Sequence, residues 1–455
     1  MATPELAFLT ALATARLARL DIDSLLVAFS GGLDSTALLA AATRTRPQHQ
    51  LPVRAIHFDH AWHPASTQWA AHCVQIAAAL GSVCEVERFA TRPASGHSAE
   101  AWARDARYGA LLARATARSV ALTAHHADDV AETFLLMALR GSGPHGLASI
   151  APMRELGAGL LLRPWLEVPR HTLAAYVAEL GLSFLEDPSN SESRYDRNFL
   201  RAQVLPILRQ RWPAANRTLA RAATLQWEAA QLNDRTADAE LARLGATQER
   251  LPLTDFVTLS AAEQHLILRR WIVRAGMPLP DANRLRRICS EVVLAAPDRH
   301  PSVRWVGGLV RRYQQCLYLA VDTPQPLAGS VAWEPAIALH FAAGTLSAMA
   351  AQGVGLGQHK LAAHALSVRG RRGGERIQLS GKLHHQSLKQ LWQAHAVPPW
   401  TRDCLPLVYA GETLAAVPGL GVATEFAAAP GEPSWVLKWQ ENSPLLANAP
   451  VGEQG

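Results

Sequence analysis

This sequence of 455 residues gives little support for a disulfide framework, a zinc ribbon or a membrane span. Cysteine is scarce: the chain has five, an odd number, and no two of them form a C-x-x-C pair. They are Cys73, Cys84, Cys289, Cys316 and Cys404. That scatter argues against a disulfide framework, a zinc ribbon and a cysteine relay. No uninterrupted apolar run reaches the roughly 18 residues of a membrane span, and the N terminus has no basic stretch of a signal peptide. We therefore expect a cytoplasmic protein that makes no membrane contact.

Lysine is nearly absent, with four residues among the 44 basic side chains, so arginine carries the positive charge. The net charge is +6, and residues 1–210 contribute nothing to it because they hold 19 basic and 19 acidic side chains. The whole excess therefore lies in residues 211–455, where it is densest at 269–312 and 360–402. An arginine-rich excess of this kind favours a polyanionic partner for the C-terminal half.

Strand-like and helix-like segments alternate in the first part of the chain. Short apolar runs predict five strands, and the stretches between them predict four helices: strands at 24–29, 53–58, 83–89, 119–124 and 160–163, and helices at 34–43, 66–80, 98–118 and 128–139. This alternation with buried strands predicts an α/β fold with a doubly wound parallel sheet. In such sheets ligands bind at the carboxyl ends of the strands, which places residues 30–35, 57–63 and 125–129 on one rim.

The length and a content of 49% hydrophobic and 18% charged residues predict two or three folded domains. Beyond Trp212 the pattern turns helical, and near Pro324 it changes to short β-like runs broken by glycine and proline. We predict three domains: a nucleotide-binding catalytic domain (1–212), a helical middle domain (213–325) and a small α+β C-terminal domain (326–455).

The strongest motif is Phe29-Ser30-Gly31-Gly32-Leu33-Asp34-Ser35, which follows a predicted strand and opens a predicted helix. Two adjacent glycines let the backbone turn tightly and bring N–H groups close to phosphate oxygens, and the helix N-terminus favours an anion. The loop contains no lysine, so it is not a Walker A loop, and its spacing is not that of a nucleophile elbow. The alternative is a tight turn without a ligand, but S-G-G-x-D-S between a strand and a helix favours phosphate binding.

This segment resembles the PP-loop of the N-type ATP pyrophosphatases, which cleave ATP between the α and β phosphates. The segment H-H-A-D-D-V-A-E-T at 125–133 is similar to the H-H-x-D-D-Q-x-E-T segment of the tRNA(Ile)-lysidine synthetases. Shorter similarities to that family follow in order along the chain: L-R-G-S-G at 139–143, E-D-P-S-N at 186–190, Tyr195 with R-N at 197–198 and Arg201, V-R at 368–369, G-G-E-R at 373–376, S-L-K at 387–389 and P-P-W-T-R at 398–402. The resemblance covers most of 20–210 and 365–420 and is thin between 213 and 360.

Two departures from the family pattern stand out. Val130 occupies a position where glutamine is usual, and A-W-H at 61–63 stands where G-L-R is more common. The first departure removes any polar contact that the usual side chain would make.

The resemblance implies a two-step ligation that uses ATP and Mg²⁺. The wobble cytidine of an isoleucine tRNA with a CAU anticodon is adenylated on its position-2 carbonyl oxygen, and pyrophosphate is released. The ε-amine of free L-lysine then displaces AMP and gives lysidine. The wobble base must leave the anticodon stack to react. Whether the enzyme acts as a monomer or a homodimer is left open by the sequence.

The resemblance also implies roles for individual residues. ATP binding is assigned to the loop and two residues outside it: Ser30, Gly31, Gly32, Leu33, Asp34, Ser35, His57 and Arg104. Catalysis is assigned to Asp34 as a Mg²⁺ contact, to Asp129 and Glu132 as contacts for lysine or Mg²⁺, and to His125 as a base. Contacts with phosphate or tRNA are assigned to basic residues in both halves: Arg163, Arg197, Arg201, Arg369, Arg371, Arg372, Arg376 and Lys389. The late arginines interleave with Trp392 and Trp400, which suits backbone neutralisation and base stacking, although core packing is the simpler role for each tryptophan.

Other interpretations compete with these assignments. His57, Asp59, His60 and His63 have zinc-ligating side chains, but ligands packed so tightly at a strand end seldom face one point. The tandem aspartates at 128–129 would also complement a helix dipole, and Arg104 would also pair with Glu100 on a solvated helix face. At the level of the whole protein, the alternatives are a PP-loop tRNA thiolase, which would need paired cysteines, and a non-catalytic tRNA-binding protein with a decayed nucleotide site.

Overall fold

The structure is a computed structural model that describes residues 3–19, 21–89, 99–186, 196–296, 299, 301–321, 327 and 329–442, with the side chains of 99–101 left out. The chain divides into two compact units, Met1–Leu232 and Asn233–Gly455. No helix in the described ranges is both long enough and apolar enough to cross a membrane. The five cysteines are all free.

A six-stranded sheet forms the centre of the first unit. Its strands are β1 (Ser24–Ala28), β2 (Val53–Asp59), β3 (Val83–Arg88), β4 (Ser119–Leu122), β5 (Met153–Leu156) and β6 (Gly159–Leu162). Their order is β3-β2-β1-β4-β6-β5, with parallel pairing except between β5 and β6. The order reverses between β1 and β4, so the carboxyl ends of these two strands form a topological switch point, where ligands bind in such sheets.

Helices cover both faces of this sheet. Those of the first unit are α1 (Pro4–Ala18), α2 (Leu33–Arg44), α3 (Arg46–His49), α4 (Ser66–Ala79), α5 (Ala99–Arg114), α6 (Ala127–Leu139), α7 (Pro144–Leu147), α8 (Arg170–Glu179), α9 (Asp196–Phe199), α10 (Leu205–Arg211) and α11 (Ala215–Arg243), which continues into the second unit. A π-helical turn, Leu200–Val204, joins α9 to α10. Along β1, Leu25 and Val27 pack in the core cluster with α1, α2 and α8, and Leu26 packs with Leu111 of α5 on the other face. The two-residue period of a strand thus buries both faces of the sheet.

The parallel sheet and its alternating helices confirm the predicted fold class, and the observed strands match the predicted ones to within two residues. The sequence analysis did not anticipate α1, α8 or the edge strand β5. The predicted helix at 98–118 begins outside the described residues and ends at Arg114. The motif at 186–190 and Tyr195 also lie almost entirely outside the described residues.

The second unit mixes helices with antiparallel sheets. Its helices are α12 (Ala261–Arg274), α13 (Ala282–Arg287), α14 (Gln358–Leu361), α15 (Leu388–Ala394) and α16 (Pro399–Arg402), with a 3₁₀ turn at Phe256–Thr258 and a π-helical turn at Ile288–Val293. Beside them lies a sheet in the order β7-β10-β9-β8, made of β7 (Arg250–Pro252), β8 (Ser302–Trp305), β9 (Gly308–Tyr313) and β10 (Cys316–Ala320). The helical content of the middle segment agrees with prediction, and this sheet is an addition to it.

The C-terminal segment is rich in short strands. They are β11 (Ser330–Ala332), β12 (Leu339–Phe341), β13 (Gly344–Gln352), β14 (Leu356–Gly357), β15 (Leu366–Arg369), β16 (Arg376–Ile377), β17 (Gln386–Ser387), β18 (Leu407–Ala410), β19 (Thr413–Val417), β20 (Gly421–Val422) and β21 (Pro433–Glu441). In the described residues they form sheets in the orders β11-β15-β18-β19-β20, β12-β13-β21-β14 and β16-β17. Trp392 is 1% exposed in the core beneath them, so it packs rather than faces a ligand.

Candidate active site

The glycine loop lies between β1 and α2, as its sequence predicts. Gly31 has φ +80°, a left-handed conformation that glycine adopts without strain. The Oγ atoms of Ser30 and Ser35 lie 3.0 Å apart, and Ser35 Oγ donates to Gly32 O at 3.0 Å. Helix α2 begins at Leu33, so its first-turn amides lie at the loop. Hydroxyls and amides are therefore gathered at one strand end in the manner that a phosphate chain requires.

Side chains pack closely beneath Gly31. A Cβ atom at this position would lie 2.7 Å from Cys73 Sγ and 2.8 Å from Leu185 Cδ1. The backbone N–H of Leu185 also donates to Gly31 O at 2.8 Å. Glycine is therefore required here both by the backbone conformation and by the lack of space.

Asp34 lies in the first turn of α2 between two basic side chains. Its Oδ2 is 3.6 Å from Nε2 of His126, and its Oδ1 is 3.3 Å from Nε of Arg170. Oδ1 is buried and has no hydrogen-bond partner in the described residues. Its contact with Arg170 is therefore an ion pair without a hydrogen bond. An oxygen held by charge and not by hydrogen bonds keeps lone pairs for a metal ion or a ligand.

Helix α6 begins at the end of β4 with a capping box. His126 accepts from the Asp129 backbone N–H, and Asp129 Oδ2 accepts from the His126 backbone N–H at 3.0 Å. The Nε2 of His126 is 3.4 Å from Asp129 Oδ2 and also faces Asp34. Burial disfavours the charged imidazole, but the contact with Asp34 and the charge of Asp129 outweigh it and raise the pKa of His126. His126 therefore connects the glycine loop to the start of α6 through its contacts with Asp34 and Asp129.

Glu132 is the most buried carboxylate of this region, at 1% exposure. Arg201 donates from Nε to its Oε1 at 2.6 Å, and Arg197 donates from Nε to its Oε2 at 2.9 Å. Arg197 also donates to Asp129 Oδ1 at 3.2 Å. Burial disfavours the charge of Asp129, but His126 and Arg197 outweigh this effect and lower the pKa of Asp129. Four predicted site residues thus form one ion-pair cluster.

His125 lies at the same strand end and is held in its neutral form. Its Nδ1 is 3.0 Å from Thr123 Oγ1. Burial lowers the pKa of His125 to about 4, although the charge of Asp129 acts in the opposite direction. At neutral pH this imidazole carries no charge and has a ring nitrogen that can accept a proton.

The other predicted residues of the first unit lie apart from this cluster. His57 is buried, with Nδ1 3.0 Å from Phe29 O and 3.2 Å from Cys73 Sγ, so it supports the loop from below. Arg104 is exposed on α5, with its guanidinium 5.8 Å from the centroid of the Tyr108 ring. Arg163 is 6% exposed and donates to Ala151 O at 2.6 Å and to the Tyr108 hydroxyl at 3.2 Å.

An aromatic cluster occupies the rim after β2, where the sequence departs from the family pattern. The ring of His60 lies 5.2 Å from that of Trp62 and 5.1 Å from that of Phe89, and Trp62 lies 5.6 Å from Trp102. His63 stacks on Trp69 at 4.6 Å. The histidines considered for zinc therefore point to different partners, and no three metal-ligating side chains of the described residues gather around one point.

Val130 fills a buried position on the face of α6 away from the ion-pair cluster. It is 3% exposed and packs with Ala127, Ala220 and Ala223 in one apolar group. An apolar residue suits this position because its neighbours are apolar.

The predicted tRNA contacts of the second unit divide into buried and exposed residues. Arg369 is 8% exposed, with its guanidinium 3.7 Å from the centroid of the Tyr409 ring. Arg371 pairs with Asp403. Arg372, Arg376 and Lys389 are exposed.

Two residues of the site were missed in the sequence analysis. His126 was noted within its motif without a role, and its capping pattern with Asp129 was a readable signal. Arg170 has no motif around it, and only the fold brings it to Asp34.

Comparison with protein-family models gives three matches along the chain. A PP-loop domain model matches residues 9–208, a TilS substrate binding domain model matches 251–318, and a TilS substrate C-terminal domain model matches 366–439. The first match contains the glycine loop and the ion-pair cluster.

Curated relatives match nearly the whole chain. The tRNA(Ile)-lysidine synthase of Methylococcus capsulatus is 41% identical over 91% of this chain and 95% of its own length. The tRNA(Ile)-lysidine synthase of Alkalilimnicola ehrlichii is 40% identical over 89% and 91%, and that of Coxiella burnetii is 36% identical over 91% and 92%.

Proposed function

The chain belongs to the tRNA(Ile)-lysidine synthase family, and from this premise we propose that it ligates free L-lysine to the wobble cytidine of isoleucine tRNA with a CAU anticodon. ATP is the energy source and reacts at the glycine loop. The observation that carries the proposal is that His126 Nε2 lies 3.6 Å from Asp34 and 3.4 Å from Asp129. This contact holds the phosphate loop and the start of α6 together at the switch point of the sheet, where two substrates must meet.

In the first step the cytidine O2 attacks the α-phosphorus of ATP. The bond from that phosphorus to the α,β-bridging oxygen breaks, and pyrophosphate leaves. Ser30, Ser35 and the amides around Gly32 hold the β- and γ-phosphates, and the basic side chains of Arg170 and His126 lie beside the reacting phosphate. Catalysis of such a transfer rests mainly on positioning and electrostatic stabilisation.

Mg²⁺ would assist this step, and Asp34 is the side chain that fits it. Its Oδ1 is buried with no hydrogen-bond partner among the described residues. Mg²⁺ is usually bound by one or two carboxylates together with substrate phosphates, so a single aspartate beside a phosphate loop is a suitable donor set. When bound, the ion neutralises developing negative charge on the phosphates.

In the second step the ε-amine of lysine attacks C2 of the adenylated cytidine. The C2–O bond breaks, AMP leaves, and the amine loses a proton to a neighbouring base. We propose that neutral His125 accepts this proton. Asp129, which is 15% exposed, binds an ammonium group of lysine. Glu132 is only 1% exposed and accepts from both Arg197 and Arg201, so it acts through these arginines and positions them.

The rest of the chain would hold the tRNA. We propose the three-domain division at about 212 and 325, and in its support each family-model match falls within one of these domains. The exposed residues Arg372, Arg376 and Lys389 suit contacts with the phosphate backbone. The cytoplasmic location and the oligomeric state stay predictions.

The two alternatives have less support. A thiolase would need reactive cysteines, but burial raises the pKa of Cys73 to about 12 and that of Cys84 to about 11. A decayed site would not be expected to keep the serines, glycines and carboxylates of the loop and α6 together.

Replacing Asp34 tests the catalytic assignment. We expect Asp34→Ala to lower tRNA- and lysine-dependent AMP release by about 10²- to 10³-fold, the usual effect of removing one group that stabilises the transition state. Asp105→Ala, which changes an exposed aspartate on α5, is the matched control and should keep the wild-type rate. An unchanged rate for Asp34→Ala would reject the assignment, and a wild-type protein without any such activity would reject the function.

A further inference from the structure

A cavity of about 450 Å³ lies in the first unit, beyond the carboxyl end of β6. It is bounded by α1, by the start of α8, by Val130 of α6 and by residues 217–227 of α11. Its volume is within the range of about 300–1,000 Å³ that is common for small-molecule pockets. The ATP and lysine assignments made above use none of its polar side chains.

The walls of this cavity are connected to the reactive rim at two points. Pro169 and Thr172 line it and flank Arg170, whose Nε lies 3.3 Å from Asp34. Val168, also in the lining, accepts a hydrogen bond from the backbone N–H of Ala127 at the start of α6. The cavity therefore adjoins the place where the α-phosphate of ATP would lie.

Three charged side chains and three threonines line the cavity, and the charges differ in sign. Arg163 is 6% exposed, and its Nε has no hydrogen-bond partner in the described part of the chain. Arg217 and Glu167 are exposed and supply one charge of each sign. The half-buried Trp227 supplies an aromatic surface beside aliphatic walls.

We propose that this cavity receives the extruded wobble cytosine, with Glu167 as the residue that recognises the base. A glutamate carboxylate accepts a hydrogen bond from the N4 amino group of cytosine, and uracil offers no donor there. Trp227 provides a surface on which a splayed-out base stacks, and Arg217 neutralises the adjoining phosphate. This inference rests on the proposed function, since it names the site at which that reaction takes its pyrimidine.

The charge of the lining favours a nucleotide over free lysine as the occupant. The two arginines and one glutamate of the lining give its side chains a net charge of +1. Lysine is itself a net cation, whereas a nucleotide in an RNA chain contributes one negative phosphate. The positive charge of the lining therefore repels lysine and attracts the phosphate of the nucleotide.

Changing Glu167 and the wobble base together tests the proposal. We expect Glu167→Ala to lower kcat/KM for pyrophosphate release about five- to a hundredfold with a transcript carrying C34, the range for loss of one base-edge contact. Glu167→Gln keeps an acceptor and adds a donor that faces uracil O4, so it should raise activity on a U34 transcript relative to C34. Glu179→Gln, which changes an exposed glutamate of α8, is the matched control.

A second pair of variants tests stacking without touching the charge. Trp227→Ala should raise KM for the transcript and leave KM for ATP unchanged, and Trp227→Phe should restore most of the loss. Melting temperatures of all variants show whether each one folds. If wild-type protein acts on C34 but the folded Glu167 variants match it on both transcripts, the cavity does not read the base. If wild-type protein releases no pyrophosphate with C34, the proposed function itself is wrong.

Discussion

The two compact units differ in how deeply the acids of their described ion pairs are buried. In the first unit the buried carboxylate of Glu132 pairs with the partly exposed Arg197 and Arg201. In the second unit the buried charges are arginines that lie over aromatic rings or against carbonyl oxygens: Arg311 over Trp400 at 4.0 Å, Arg369 over Tyr409 at 3.7 Å, and Arg312 donating to Val293 O at 2.6 Å. The most buried carboxylate among the ion pairs described in that unit, Asp234, is still 19% exposed.

This difference separates two uses of arginine that look identical in the sequence. An arginine paired with a buried acid keeps part of its guanidinium at the surface, where it can contact a substrate phosphate without leaving the acid. An arginine stacked on a ring is a packing element, and its charge is not available to a tRNA. We therefore expect tRNA binding by the second unit to depend on its exposed cations and not on the number of its arginines.

The largest effect is expected from removing the acid shared by two arginines. Glu132→Ala should lower the free energy of unfolding by about 3 kcal/mol, the lower end for breaking a buried pair, since both arginines retain access to solvent. Glu412→Ala removes an acid that is 88% exposed and paired with Arg369, and should cost less than about 0.5 kcal/mol. Urea unfolding of both variants measures the contrast, and equal losses would show that burial of the acid does not matter.

Two glycines with positive φ provide the next contrast. Gly31→Ala combines a left-handed backbone with contacts at 2.7 and 2.8 Å and should cost about 2–3 kcal/mol and weaken ATP binding. Gly373 has φ +98° but no atom within 4 Å of an added Cβ, so Gly373→Ala should cost only about 1 kcal/mol. Thermal unfolding with and without ATP checks both values. A Gly31→Ala protein with normal ATP binding would contradict the loop assignment.

Salt dependence separates exposed from stacked arginines. Arg376→Ala should reduce the slope of log affinity for tRNA against log salt by about 0.7–0.9, as expected for one lost phosphate contact. Arg369→Ala should leave that slope unchanged while lowering the melting temperature, because Arg369 is buried over Tyr409. Filter binding over a salt series distinguishes the two variants. A smaller slope in Arg369→Ala would show that the stacked guanidinium reaches phosphate.

The smallest effect is expected from two histidines with opposite surroundings. Burial lowers the pKa of His126, but the nearby acids Asp34 and Asp129 outweigh burial and raise it, so the stabilisation from its ion pairs is complete below pH 6.5 and is lost as pH rises through the raised pKa. Burial and then Arg269 and Arg286 lower the pKa of His265, so that group destabilises the fold as pH falls below 6.5. The unfolding free energies of His126→Gln and His265→Gln, measured from pH 5 to 8 against wild type, should change in opposite directions.

The alternating strands and the glycine loop were predictable because each depends on local sequence. Buried strands read as apolar runs, and the loop needs its glycines at fixed places between a strand and a helix. The edge strand β5 was not predictable in the same way, since its burial pattern is mixed and it pairs antiparallel to β6.

The long-range parts of the site needed the fold. Asp129 and Glu132 were found because they share a helix face, but their pairing with Arg197 and Arg201 joins segments more than 60 residues apart. Arg170 reaches Asp34 only because α8 packs against α2. The sequence also could not show that Arg369 is buried, since nothing nearby distinguishes it from the exposed Arg372.

The close packing beneath Gly31 has a consequence for how this family's sequences can diverge. Cys73 and Leu185 fill the space that any side chain at position 31 would need. A larger residue at either supporting position would press on the loop, and a smaller one would relieve the crowding without changing the backbone requirement for glycine. Mutational drift at these two positions, which carry no reactive role, is therefore restricted by the loop that they support.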